Sequence, residues 1–125
     1  MNLNLLDSHD THRIFTQVGN SKDKVLAALA LMFIFPGVPC IYYGTEICLE
    51  GGYDPDSRRT FNWNTEEWDN EFLNNIKAII STRKNTSIQN GDISILNKGE
   101  LVHVERKWQE KSVHFLLNLD EKKQK

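Results

Sequence analysis

The chain has 125 residues, the size of one ordinary domain, and folding at that length buries roughly two-thirds of the unfolded surface, enough for a core without staples. Its 15 lysines and arginines against 17 aspartates and glutamates leave a formal charge of -2, with no field that would select nucleic acid or an anionic membrane as a partner. Cys40 and Cys48 stand in apolar sequence outside any zinc pattern and read as reduced thiols of a cytoplasmic protein, while the longest apolar run, Val25 to Phe35, is well short of the ~20 residues that span a bilayer.

No basic leader precedes the first segment, so no signal peptide is expected. Leu3 to Leu6 is short and apolar and runs into Asp7-Ser8-His9-Asp10, as a buried parallel strand does where its C-terminal end opens onto a polar face. Asn20 then reads as an N-cap, with Asp23 three places on, and Lys24 to Phe35 carries apolar side chains on nearly every face, which predicts a largely buried helix. Pro36-Gly37 stops it. Pro39 to Tyr43 reads as a second apolar strand ending at Gly44, giving strand, helix, strand, the parallel unit of an α/β protein.

Glu46 to Asn64 is a polar loop too long for a mere connector, with Gly51-Gly52 and Asp54-Pro55 setting turns and Arg58-Arg59 in its middle. Asn64, with Glu67 three residues later, reads as the cap of a second helix. Its Trp68, Phe72, Leu73, Ile76, Ile79, Ile80 and Arg83 follow a 3.6-residue period, an apolar body with a basic end. Past Asn90-Gly91, a hairpin-type dipeptide, Ile93 to Leu96, Leu101 to Trp108 and Ser112 to Leu119 read as antiparallel strands joined at Lys98-Gly99 and Gln109-Glu110. The charged stretch from Asp120 to Lys125 is expected to fray.

Three motifs narrow what an α/β part followed by a small β part does. They are Leu6-Asp7-Ser8-His9-Asp10, then Gly37-Val38-Pro39-Cys40-Ile41-Tyr42-Tyr43-Gly44-Thr45-Glu46, then Gly51-Gly52-Tyr53-Asp54-Pro55-Asp56-Ser57-Arg58-Arg59. In these the chain strongly resembles the α-amylase superfamily, glycoside hydrolase family 13, and within it the neopullulanase, cyclomaltodextrinase and maltogenic amylase group. The Asp7 to Asp10 motif is similar to that family's motif at the end of the seventh barrel strand, and the Gly37 to Glu46 motif resembles its eighth strand. The resemblance runs from Leu3 to about Trp63 and more weakly to the end. It implies an α/β fold: the C-terminal portion of a (β/α)8 barrel over residues 1–85, strands seven and eight with their helices, then the start of an antiparallel β domain over 86–125.

The resemblance also implies a chemistry. Family members are retaining glycosidases or transglycosylases with a carboxylate nucleophile after the fourth strand, a glutamic acid general acid/base after the fifth and a third carboxylate after the seventh. Only the third is matched here, as Asp10, with His9 beside it to contact a neighbouring sugar hydroxyl. Such a carboxylate acts on an oxocarbenium-like transition state through hydrogen bonds to ring hydroxyls that strengthen as charge develops. Asp54 and Arg58 match residues that in the family grip a sugar further from the scissile bond; a plain loop salt bridge is the other reading of that pair. Tyr42, Tyr43 and Glu46 read as structural, two aromatics filling a barrel interior and a carboxylate neutralising a nearby arginine. His12 stands where the resembling group more often has a glutamate. Trp68 and Trp108 read as core rather than sugar platforms, and Trp63 is left open between the two.

An isolated His-Asp pair would read as a loop cap, and it is the flanking motifs that turn His9 and Asp10 into candidates. A retaining glycosidase needs two carboxyl groups about 5–5.5 Å apart across the bond, and neither missing motif is found here. The expectation is therefore a fragment of an α-glucan-acting hydrolase, inactive by itself, with no cofactor and no metal demanded by its residues. A quarter barrel leaves the Leu3 strand unpaired on one side and the helix face after Val25 uncovered, so self-association through the exposed barrel edge is expected. The alternative is a non-catalytic carbohydrate-binding or scaffold remnant that keeps Asp10, Asp54 and Arg58 for weak α-glucan contact.

Overall fold

The computed structural model of the protein describes residues 2–119; the expected fraying of Asp120 to Lys125 lies outside them. In chain order the elements are β1 (Leu3–Leu5), α1 (Ile14–Gln17), α2 (Lys22–Ile34), β2 (Val38–Cys40), α3 (Asn70–Ser81), α4 (Thr86–Asn90), β3 (Asp92–Lys98), β4 (Leu101–Trp108) and β5 (Lys111–Asn118). Short 3-10 turns punctuate the loops at Thr45–Ile47, Asp56–Arg58, Thr65–Glu67 and Thr82–Lys84. Among the described residues no helix is long and apolar enough to cross a membrane.

β1 and β2 lie parallel, Leu3 opposite Val38 and Leu5 opposite Cys40, with α2 as the crossover between them. The strand, helix, strand unit expected from the sequence is thus formed, with a shorter second strand that stops before Ile41. Its opening strand is not buried as expected. Among the described residues β1 has a neighbour on one side only, and Leu3 and Leu5 are 62 % and 46 % exposed.

The N-cap of α2 is Ser21, whose hydroxyl accepts from Lys24 N at 3.3 Å, and not Asn20. Asn20 is taken up by the turn before it, in the left-handed region at φ 60, where its N–H closes on Phe15 O at 2.8 Å. α3 is likewise displaced from its expected start. Asn64 caps only the Thr65–Glu67 turn; Trp68 is extended, and Asp69 caps the helix proper by accepting from Phe72 N at 3.0 Å. Lys22 donates to the same Asp69 at 2.7 Å, which holds its carboxyl below the usual range and ties the starts of α2 and α3 together.

Two hydrophobic clusters share α2. On one side Val25, Leu29, Met32 and Phe33 pack with Ile14, Phe15, Phe72 and Ile76; on the other Ile34 meets Ile88 of α4 and Val104 of β4. Burying a side chain of this size is worth about 1.5–3 kcal/mol, so the α2 to α3 contact alone outweighs any single cap. β3, β4 and β5 form an antiparallel meander with Ile95 opposite Val104 and Val104 opposite Phe115, its inner face laid on the C-terminal end of α2. The Gln109-Glu110 turn stands where the sequence places it, with Gln109 at positive φ; the other falls one residue later than expected, on Gly99-Glu100 with Gly99 at positive φ, because Lys98 still pairs with Leu101 as the last residue of β3.

Asn90-Gly91 is not a hairpin. Asn90 ends α4, and Gly91 is required by crowding: a β-carbon there would stand 2.2 Å from Ser87 O. Arg83 also departs from its expected role at the end of its own helix. It lies in the turn after α3 and donates to Phe33 O, Phe35 O and Gly37 O, satisfying carbonyls at the C-terminus of α2. Arg106 adds a bond to Ile34 O at 2.6 Å and two to Gly91 O. Burial and the neighbouring Arg83 lower its pKa. Trp108, expected in the core, is 40 % exposed near the tip of the meander.

Candidate active site

The polar run after β1 divides into a buried anchor and an exposed pair. Asp7 turns inward and is buried; its carboxylate accepts from Ile14 N at 2.9 Å and from the Thr45 hydroxyl at 3.3 Å. Burial raises its pKa against the opposing pull of those bonds and of Arg13. The next residues close a turn, Ser8 N donating to Thr11 Oγ1 at 2.9 Å and Asp10 N to Ser8 Oγ at 3.2 Å. That turn presents His9 and Asp10 to solvent, with side chains 57 % and 68 % exposed and His9 Nε2 at 3.2 Å from Asp10 Oδ2.

The long loop brings the other two candidates to the same place. Arg58 Nε lies 2.7 Å from Asp54 Oδ1, and Arg58 Nη2 lies 3.5 Å from Asp10 Oδ1. Arg58 therefore bridges two carboxylates, and His9, Asp10, Arg58 and Asp54 form one continuous polar chain. The backbone fixes it: His9 O accepts from the Ser57 hydroxyl at 2.8 Å and from Arg58 Nε at 3.4 Å. Asp54 and Arg58 are thus a loop ion pair, and Arg58 is also joined to Asp10.

Arg13 supports this arrangement from beneath and was not a candidate in the sequence. It is fully buried at 0 % exposure, its guanidinium lying 4.1 Å from the centre of the Tyr42 ring and 4.5 Å from that of Tyr43. Nε donates to Ser57 O at 2.9 Å and Nη1 donates to Tyr43 O; Nη2 has no hydrogen-bond partner among the described residues. One side chain so joins the end of the His9-Asp10 turn to the loop that carries Arg58. The available signal was its setting: an arginine followed directly by apolar Ile14 and Phe15 is placed to be drawn inward.

The glycine pair is explained by the same packing. Arg13 N donates to Gly51 O at 2.9 Å and Gly51 N to Thr16 Oγ1 at 2.9 Å, while a β-carbon on Gly51 would stand 2.7 Å from Asp56 O. Asp56 accepts from Gly52 N at 2.8 Å and is gripped by Arg59 at 2.8 and 3.0 Å, which lowers its pKa to about 2. Tyr42 and Tyr43 were expected to fill a barrel interior; both rings instead lie against the Arg13 guanidinium. The arginine expected beside Glu46 is not found among the described residues, where one of the Glu46 carboxylate oxygens is buried without a hydrogen-bond partner. His12 packs its ring edge against Tyr53, centroids 3.9 Å apart, with Nε2 buried and without a hydrogen-bond partner among the described residues.

No group of three or more His, Cys, Asp or Glu side chains among the described residues has a geometry that could hold a metal ion. Chemically, the exposed chain presents carboxylate acceptors flanked by an imidazole and a guanidinium. That set is suited to the adjacent hydroxyls of a sugar ring.

The sequence model of the α-amylase catalytic domain matches residues 1–90. The chain belongs to that family. Intracellular maltogenic amylase of Bacillus subtilis is 39 % identical over 120 residues, which are 92 % of this chain and 20 % of that protein. Among solved structures, maltogenic amylase from S. marinus is 42 % identical with a TM-score of 0.84, over 93 % of this chain and 17 % of that one. Cyclic α-maltosyl-(1→6)-maltose hydrolase from Arthrobacter globiformis is 28 % identical with a TM-score of 0.87, over 93 % and 27 %. The chain spans about a fifth of the length of the curated relatives it matches. Its fold is that of the C-terminal portion of the family's (β/α)8 barrel, two parallel strands with their helices, followed by part of an antiparallel β domain.

Proposed function

We propose that this chain forms one corner of the active site of an α-glucan-acting retaining glycosidase of the α-amylase and neopullulanase type, which hydrolyses α-1,4 or α-1,6 glucosidic bonds. Asp10 is the transition-state-stabilising carboxylate, His9 contacts a neighbouring sugar hydroxyl, and Asp54 with Arg58 meets a sugar further from the cleaved bond. Residues 1–85 belong to the barrel and 86–125 begin the β domain. The observation that carries the reading is the continuous chain of Asp54, Arg58, Asp10 and His9, assembled at one strand end and open to solvent.

The division of labour follows from the charges. Arg58 draws on one oxygen of Asp10 and His9 on the other, which fixes the carboxylate plane while leaving more than half of the side chain open to a ligand. A carboxylate so held accepts from two vicinal hydroxyls, and those bonds strengthen as the ring carbon becomes cationic, lowering the barrier by several kcal/mol. The covalent work of a retaining enzyme needs two further carboxyl groups about 5–5.5 Å apart. These 125 residues carry neither motif, so no hydrolysis is expected of the chain alone, and any α-glucan contact it makes is weak. The relative named as intracellular supports a cytoplasmic setting. The open edge of β1, with Leu3, Leu5 and Val38 exposed beside a groove of about 400 Å³ lined by Leu31, Met32 and Phe35, supports self-association there.

The test is calorimetric titration of maltotriose and a cyclodextrin into the purified chain, beside Asp10→Asn and beside cellotriose, with released reducing sugar measured in parallel. Binding of the α-linked sugars, weakened about tenfold in the variant, without turnover is the expected result. Equal affinity in chain and variant removes Asp10 from the site. Turnover that the variant loses would show that an assembled oligomer finds a nucleophile and an acid among other residues.

A further inference from the structure

Trp63 and Tyr53 are the two most exposed large apolar side chains among the described residues, at 79 % and 74 %, and both lie on the loop between β2 and α3. Tyr53 belongs to the site already described, next to Asp54 and against the edge of His12. Trp63 has no such role. Its ring stands on Phe61, centroids 4.5 Å apart and planes tilted by 56°, and Phe61 in turn meets Trp68 edge-on at 5.8 Å.

The backbone beneath is tied down. Trp68 Nε1 donates to Asn62 O at 2.8 Å, and the side chains of Asn62 and Asn64 both donate to the Glu67 carboxylate, at 2.6 and 3.2 Å. Upstream, the Tyr43 hydroxyl donates to Arg59 O at 2.8 Å, so the segment leaving the Arg58 loop is anchored before it reaches Trp63. The indole is therefore positioned by a rigid base and contributes little to the core, which is the arrangement of a contact surface rather than of a packing residue. A flat apolar face with amide and carboxylate groups nearby complements a pyranose ring, apolar on its C–H face and hydroxylated at its rim.

We infer that Trp63 is a stacking platform for a glucose unit of an α-glucan, a binding contact additional to His9, Asp10, Asp54 and Arg58. The choice of sugar rests on the function proposed above; the platform itself rests on the aromatic geometry. With three tryptophans the ¹⁵N-labelled chain has three indole N–H signals, and the probe is maltoheptaose. The signal that disappears in Trp63→Ala is expected to shift with the sugar in the chain, and in Asp10→Asn to reach the same end point at about tenfold higher sugar. Affinity is expected to fall about fivefold in Trp63→Ala and less in Trp63→Phe, which keeps an aromatic face. The exposure of Trp63 leaves both variants folded, checked by the unchanged signal of Trp108 in β4. If maltoheptaose binds and Asp10→Asn weakens it while the Trp63 signal stays still, the platform is refuted and the Asp10 reading stands. A Trp63 shift with no effect of Asp10→Asn keeps the platform and refutes the Asp10 site. No shift of the Trp63 signal at millimolar maltoheptaose refutes the platform outright.

Discussion

Replacing Arg13 by Met tests whether a buried guanidinium holds the candidate site together. The substitution keeps an apolar stem of similar length and removes the bonds to Ser57 O and Tyr43 O together with the stacking on Tyr42 and Tyr43. Two bonds from a charged donor are worth about 1.5 kcal/mol each at the low end, and the cation–π contact adds about 1 kcal/mol. Against this, a buried charge with one unpaired nitrogen is no longer desolvated, which returns about 1–2 kcal/mol. The net expectation is a loss of about 2–3 kcal/mol. Urea unfolding followed by tryptophan fluorescence measures it as a lower midpoint at unchanged slope. Arg13→Lys, which keeps the charge but cannot reach both carbonyls in a planar fork, is expected to recover less than half of the loss. Maltotriose affinity falls in both, because Ser57 and Arg58 are the loop residues that meet His9 and Asp10. A Met variant within 0.5 kcal/mol of the parent, or one of lower stability with full sugar affinity, would refute the reasoning; the threshold is the ordinary scatter of about 0.5 kcal/mol for surface substitutions.

Burial pushes the Cys48 thiol up to about 11, whereas Cys40 is exposed. At pH 8 iodoacetamide is expected to modify Cys40 first, with Cys48 slower than an ordinary thiol by on the order of 100-fold, read by mass spectrometry of timed digests; equal rates would refute the buried setting. Arg59 and Gly52 N–H hold Asp56 at about 2, below the ordinary carboxylate value of about 3.9. A folded value below the unfolded one means that the stabilisation is complete above about pH 4 and lost as pH falls through about 2. NMR titration of the Asp56 carboxyl carbon checks it, and a midpoint near 3.9 would dissolve the pairing with Arg59.

Much of the fold was legible because its signals are local. The apolar run of α2, the 3.6-residue period of α3 and the turns of the meander report short-range physics, and each element stands within a few residues of its expected place. The departures share a cause. Asn20, Asn64 and Asn90-Gly91 are residues suited to several kinds of turn, and which turn each enters depends on what packs nearby: Asn20 on the end of α1, Asn64 on the Thr65–Glu67 turn, Gly91 on the close approach of Ser87. Arg83 and Arg106 were legible as charges but not as caps, since the carbonyls they satisfy belong to a helix distant in sequence.

The candidate site divides in the same way. That a strand ends in a His-Asp pair, and that a glycine-flanked loop carries Asp54 and Arg58, are properties of consecutive residues, and the sequence by itself determined them. It also determined the family, through three motifs in order. Only the tertiary structure decided that Arg58 reaches Asp10, that Asp7 is an anchor while Asp10 is exposed, and that Arg13 joins the two segments from below. The physical reason is that burial and pairing are set by atoms some 30 to 48 positions apart in the chain, and a one-dimensional pattern carries the chemical types of those atoms but not the distance between them.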